Sequence, residues 1–145
     1  MFKSRQNSDE NVENISIILY ERYLPGVFRY VNCWMNDTKL AEEITLKVLK
    51  NVLAGYRKCC RDETRISTRI FTTARNEIQE CRERGTVESM LFGLSAQEQD
   101  VISLRFGAGL NNRMISKITG LSETKTGKIV HRSLCKLKNH SEVPV

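Results

Sequence analysis

Apolar positions recur at helical spacing along almost the whole chain, and no stretch alternates as a strand would. Residues 1–11 are polar with mixed charge and are expected to form a tail. From Val12 to about Met35, Ile15, Ile18, Leu19, Val27, Phe28, Val31 and Trp34 mark a helical face. Pro25-Gly26 is expected to break or kink this segment near its middle. Asn36-Asp37 reads as a turn, with Asp37 as N-cap of a second helix from Thr38 to about Gly55. Leu40, Ile44, Val48, Leu49, Val52 and Leu53 form its apolar stripe. Residues 56–63 make a charged connection. A third helix is predicted over about Glu63–Arg84, with Ile66, Ile70, Phe71, Ala74 and Ile78 inward. Three helices of this length can bury a common core.

Residues 85–93 read as a short linker, glycine-flanked, with an apolar cluster at Met90-Leu91-Phe92 suited to packing on a neighbour. Beyond it, Ser95-Ala96-Gln97-Glu98 is a capping box, in which serine and glutamate side chains satisfy reciprocal backbone donors. Val101, Ile102, Leu104 and Phe106 supply that helix's apolar contacts, and Gly107-Ala108-Gly109 ends it. Asn111 or Asn112 caps a shorter helix containing Met114, Ile115 and Ile118. Gly120 ends it, and Ser122 caps a last helix running to about Asn139. A helix, a tight glycine turn and a capped basic helix have the spacing of a helix-turn-helix. The fold class predicted is all-α: a three- to four-helix bundle over 12–84 and a helix-turn-helix domain over 94–139, with a tail at 140–145.

Charge sharpens this picture. The chain of 145 residues has 23 Lys+Arg against 17 Asp+Glu, a net +6. Between Arg113 and Lys138 stand seven basic residues, Arg113, Lys117, Lys125, Lys128, Arg132, Lys136 and Lys138, and one acid, Glu123. That segment alone carries the whole excess, so a polyanionic partner is expected there. The alternative is a basic helix that only packs in a bundle with its lysines in water. In a groove-reading helix, Glu123, Thr124, Lys125, Thr126 and Lys128 are the early exposed positions. Glu123 suits the amino group of cytosine, and Lys125 or Lys128 suits guanine or phosphate. His131 and Arg132 follow near the backbone, and Ile129, Leu134 and Leu137 are spaced to include core positions.

Other chemistry is thin. No apolar run approaches the ~20 residues of a membrane span, and the N-terminus does not read as a signal peptide. The five cysteines, Cys33, Cys59, Cys60, Cys81 and Cys135, are odd in number and lack a C-x-x-C pair. They read as reduced thiols, which points to the cytoplasm. Adjacent Cys59-Cys60 is a weaker candidate for a redox or metal-sensing pair. His131, Cys135 and His140 make a poor zinc set. No metal or other cofactor is predicted. There is no Walker A loop, H-E-x-x-H or G-x-S-x-G, so an enzyme is not expected.

Residues 94–138 resemble region 4 of bacterial RNA polymerase sigma factors. The resemblance is carried by Leu94, Gln99, Val101, Leu104-Arg105, Gly109, Ile115-Ser116, Gly120, Leu121-Ser122, His131-Arg132-Ser133 and Leu137. Upstream, Leu19–Val31, Leu40-Ala41-Glu42-Glu43-Ile44-Thr45 and Ile70-Phe71-Thr72-Thr73-Ala74-Arg75-Asn76 are similar to region 2 of the extracytoplasmic-function (ECF) group. The resemblance implies a polymerase subunit, nucleoid-associated and without a catalytic site, that directs promoter-specific initiation. Region 2 would dock on the clamp of core polymerase and trap unpaired bases of the −10 element. Region 4 would read the duplex −35 element and touch the flap.

Carried over by position, Glu42, Glu43, Leu46, Lys47 and Lys50 fall on the core-binding helix. Arg69, Phe71, Thr72, Arg75, Asn76 and Gln79 fall on the helix that faces the −10 strand, with Phe71 also suited to plain core packing. Ser122, Thr124, Lys125, Thr126, Lys128, His131 and Arg132 fall on the −35 surface, Arg132 on phosphate. Three features depart from the family, the first being that Arg69 stands where a tryptophan is usual. Leu46 and Lys47 stand where a glutamine and an acid are usual, which reverses a charge at the expected core contact. The linker is also very short: about 10 residues reach at most ~35 Å, one helical turn of DNA. Leu46 and Lys47 motivate an alternative, a sigma-derived helix-turn-helix regulator that needs a helper protein or no longer binds core directly, while the short linker implies a compact geometry or unusual polymerase contacts. An anti-sigma or helper protein is a further candidate partner.

Overall fold

The stripe at Leu40, Ile44, Val48, Leu49 and Val52 is a helical face, and the helix that carries it, α2, spans Thr38–Gly55. Asp37 caps it through its Oδ1, which accepts from the Lys39 and Leu40 amides at 3.0 and 3.3 Å. Helix α1 spans Phe2–Asn32 and α3 spans Glu63–Glu83. This computed structural model describes the backbone of residues 2–35, 37–55, 63–85 and 93–141, which hold six α-helices and no strand. The C-terminal part contains α4 (Ala96–Ile102), a wide π turn (Ser103–Gly107), α5 (Asn112–Thr119) and α6 (Glu123–Ser141). The all-α architecture expected from periodicity is the one observed. Cys59-Cys60, the Met90-Leu91-Phe92 cluster and most of the linker (86–92) lie outside the described residues.

Four expectations are corrected. The polar tail at 1–11 is helical from Phe2, and Pro25 lies inside α1 without ending it. Proline removes one hydrogen bond, to the carbonyl four residues earlier. That carbonyl belongs to Glu21, an exposed residue whose backbone can turn to water. Ile18 is 57% exposed, because the buried face of α1 passes through Leu19, Val27, Tyr30 and Val31 instead. Phe106 is also exposed: the π turn adds a residue between Ser103 and Ala108, whose amide bonds back to the Ser103 carbonyl at 3.0 Å. The wider turn swings Phe106 outward, where the Arg105 guanidinium lies 5.5 Å from its ring centre.

The core crosses the boundary between the two halves. Val27, Tyr30 and Val31 of α1, Val48 and Leu49 of α2, and Ile70, Phe71 and Ala74 of α3 join one buried cluster. Val101, Leu104, Ile115, Ile118 and Ile129 of the C-terminal half belong to the same cluster. Helix α3 packs on α5, and α1 packs on the π turn. The second contact is close. A Cβ at Gly107 would lie 3.3 Å from Cys33 Sγ and 3.4 Å from the Arg29 carbonyl, and one at Gly26 3.3 Å from the Ala108 carbonyl. Glycine at both positions lets the two backbones approach.

A shared core predicts shared unfolding. Leu104→Ala should cost about 2–5 kcal/mol through lost burial and a residual cavity. Circular dichroism, which reports all helices, and Trp34 fluorescence, which reports the turn after α1 where it faces the C-terminal half, should then shift together. A Trp34 transition that stays at the wild-type midpoint would contradict a common core.

Candidate nucleic-acid interface

Helix α5 starts at the Asn111 cap, whose Oδ1 accepts from the Met114 amide at 2.9 Å. It ends at Gly120, whose φ of 80° is the left-handed conformation that a glycine accommodates without strain. The turn is fastened from both sides. The Gly120 amide donates to the Ser116 carbonyl at 2.9 Å, and the Ser116 hydroxyl donates to the Leu121 carbonyl. Ser122 then caps α6, accepting from the Lys125 amide at 3.1 Å. Ile115, Ile118 and Ile129 seal the inner side.

The inner stripe of α6 runs through Thr126, Ile129 and Ser133 at helical spacing, all three buried. Thr126 is therefore corrected from a reading position to a core position. Its hydroxyl donates to the Ser122 carbonyl at 2.8 Å, and that of Ser133 to the Ile129 carbonyl at 2.6 Å. Each bond lies one turn back, so these small polar side chains can be buried without an orphaned group. The outer face presents Ser122, Glu123, Thr124, Lys125, Lys128, His131 and Arg132.

Two cations of α6 are engaged within the fold. Glu98 is almost fully buried and completes the capping box: Oε1 accepts from the Ser95 amide at 3.0 Å, and the Glu98 amide donates to Ser95 Oγ at 3.2 Å. The same carboxylate accepts from Lys136 Nζ at 2.8 Å and Arg132 Nε at 3.2 Å. Lys136 first, then the Ser95 amide, hold the Glu98 carboxyl down at about 2, against the opposing effect of burial. The capping box was legible from S-x-x-E spacing, but the pairing across to α6 joins residues 34 and 38 positions apart and leaves no local signal.

The positions carried over onto α3 divide into three sets. Phe71 is 2% exposed and meets the Tyr30 ring edge-on, with centroids 6.3 Å apart, so it is a core residue. Asn76 and Gln79 are exposed, as is Arg69, while Thr72 is half-buried. Arg75 is tied to the C-terminal half: Nε donates to Asp100 at 2.8 Å and a terminal nitrogen to the Ile118 carbonyl at 3.0 Å. Asp100 also accepts from the Tyr30 hydroxyl at 2.5 Å. Burial, then the Asp100 charge, push the Tyr30 phenol well above its ordinary range, so it remains a donor. On α2, Glu42, Glu43, Leu46, Lys47 and Lys50 share one exposed face, with Lys47 Nζ 3.1 Å from Glu77 on α3.

A family model described as sigma-70, region 4 matches residues 90–139. This segment is a sigma-70 region 4 domain. The capped α5, the Gly120 turn and the exposed face of α6 are its helix-turn-helix, a fold of the DNA-binding kind. No curated protein matches the chain. Among the described residues no three His, Cys, Asp or Glu gather as metal ligands. His131 Nε2 lies 3.8 Å from Cys135 Sγ, and the His140 side chain is outside the described residues. No described helix is long and apolar enough to cross a membrane.

The Glu98 cluster sets an acid response. Its carboxyl is lowered in the folded state from 4.5 to about 2. Its stabilisation is therefore complete above pH 4.5 and lost as pH falls toward 2. Glu98→Gln should lower the urea midpoint at neutral pH, and the gap from wild type should narrow below pH 4.5. A gap that stays constant down to pH 2 would contradict the assignment.

Proposed function

We propose that the chain is a sigma factor of the ECF group: it binds core RNA polymerase and directs promoter-specific initiation. The observation that carries this reading is the region 4 match on a helix-turn-helix whose second helix exposes Thr124, Lys125, Lys128 and His131. Placed in the major groove, the start of α6 brings Lys125 and Thr124 to base edges, with Lys128 one turn on. Arg132 is more than half exposed while paired to Glu98, so that pair can orient its guanidinium beside a phosphate. The N-terminal bundle acts as region 2. Its α2 face, with Leu46 51% exposed among charged neighbours, suits docking on the polymerase clamp. Asn76 and Gln79 suit hydrogen bonds to the edges of unpaired bases.

The alternative, a sigma-derived regulator recruited by a helper protein, is favoured by one observation. Lys47, the reversed charge on the expected core-binding face, is satisfied within the fold by Glu77. Pull-down with core polymerase and run-off transcription from a cognate promoter separate the two. Retention by core with specific initiation supports a sigma factor. Duplex binding without either supports the regulator.

The groove reading has its own test. Lys125→Ala should weaken promoter duplex binding by about 1–3 kcal/mol and relax sequence choice. Lys128→Ala, if on phosphate, should weaken all sequences alike and reduce the salt slope by about 1. Binding that is insensitive to salt, or unchanged by both substitutions, would overturn this use of α6.

A further inference from the structure

Asp100 sits on α4 and takes its two side-chain donors from the other half of the molecule, Tyr30 on α1 and Arg75 on α3. Arg75 is also one of the residues that the resemblance to region 2 carries onto the helix facing the −10 strand. A guanidinium binds a carboxylate and a phosphate through the same planar array of donors. We infer that Asp100 is an intramolecular stand-in for a DNA phosphate on Arg75, and that it holds the strand-facing surface of α3 closed in the free protein. This inference rests on the reading of α3 as the strand-facing helix.

Three further observations support a built closure. Arg75 makes a second bond, to the Ile118 carbonyl of α5, so strand binding through its guanidinium would disturb two contacts with the C-terminal half. Asn76 and Gln79 line a cleft of about 320 Å³ whose far side includes Gln97, Asp100, Thr119 and Leu121. A strand laid along α3 would therefore meet α4 and α5. Outside the cleft, the close backbone approaches at Gly26 and Gly107, and the bond from Arg29 Nε to the Gly107 carbonyl at 2.8 Å, fix the two halves in one register. The duplex-reading face of α6 stays exposed in this state. Closure would thus shut single-strand capture while leaving −35 recognition open.

The molecule carries its own reporter. Trp34 is the single tryptophan, it is 3% exposed, and it lines the same cleft. The test measures binding of a short mixed-sequence single-stranded oligonucleotide by anisotropy, alongside acrylamide quenching of Trp34. Asp100→Asn keeps the shape and removes the competing charge. It should tighten single-strand binding at least about fivefold, the lower end of typical coupling between sites, and make Trp34 more quenchable. Adding Arg75→Gln should abolish the gain. Tyr30→Phe, which removes one donor and keeps the Arg75 pair, should give a smaller gain and carries the test if Asp100→Asn does not fold. Glu80→Gln removes an acid from α3 outside the closure and should change nothing.

If single strands bind wild type and Asp100→Asn equally, and Arg75→Gln weakens that binding, the closure is overturned and the reading of α3 stands. If neither wild type nor any variant binds single strands while duplex binding persists, the reading of α3 falls and the inference with it. A gain that survives Arg75→Gln would also overturn it.

Discussion

The rest of the structure depends on one half-buried carboxylate at the junction of the two halves. Asp100 reaches across from α4 to Tyr30 and Arg75, and Arg75 continues to the Ile118 carbonyl. Of this set only Tyr30 is fully buried, so removing Asp100 leaves the Tyr30 hydroxyl underpaired away from water, while Arg75 keeps some access to solvent. The value of the set is in selection: it fixes one docking geometry among the many that apolar surfaces alone would tolerate. The tight glycine contacts between α1 and the π turn need that geometry. The continuous core from Val27 to Ile129 crosses the same junction.

A second carboxylate organises the helix-turn-helix. Glu98 caps α4 and gathers Lys136 and Arg132 from α6. The positive excess concentrated in the C-terminal quarter therefore has two uses. Lys136 and Arg132 lock α6 against α4, and Lys125 and Lys128 stand on the outer face. A net charge gives no means of telling these apart, because both uses require cations at helical spacing.

What was legible in the sequence was local. The Asp37, Ser95 and Ser122 caps, the Gly120 stop and the stripes of α2 and α3 depend on neighbours within a few residues, and all are found. What failed was geometry that a 3.6-residue period does not encode. The π turn rotated Phe106 out of the stripe it was read into. Thr126 falls among the early positions expected to face a groove, yet its hydroxyl bonds the carbonyl one turn back and is buried. Of the break or kink that Pro25-Gly26 predicts, the break does not occur, and the helix runs through Pro25. The junction itself was illegible: Tyr30, Arg75 and Asp100 each read as an ordinary helical residue, and periodicity reports which face is buried without saying against what. Arg75, Asn76 and Gln79 were singled out only through the resemblance.

The account stands or falls on whether Arg75 is held by the C-terminal half in the free protein. Nuclear magnetic resonance of the Arg75 side chain tests this directly. The account predicts an Nε–H resonance protected from exchange with water, with cross-peaks from the Arg75 side chain to Tyr30 and Ile118. Rapid exchange of that proton, with no cross-peak between the two halves, would contradict it.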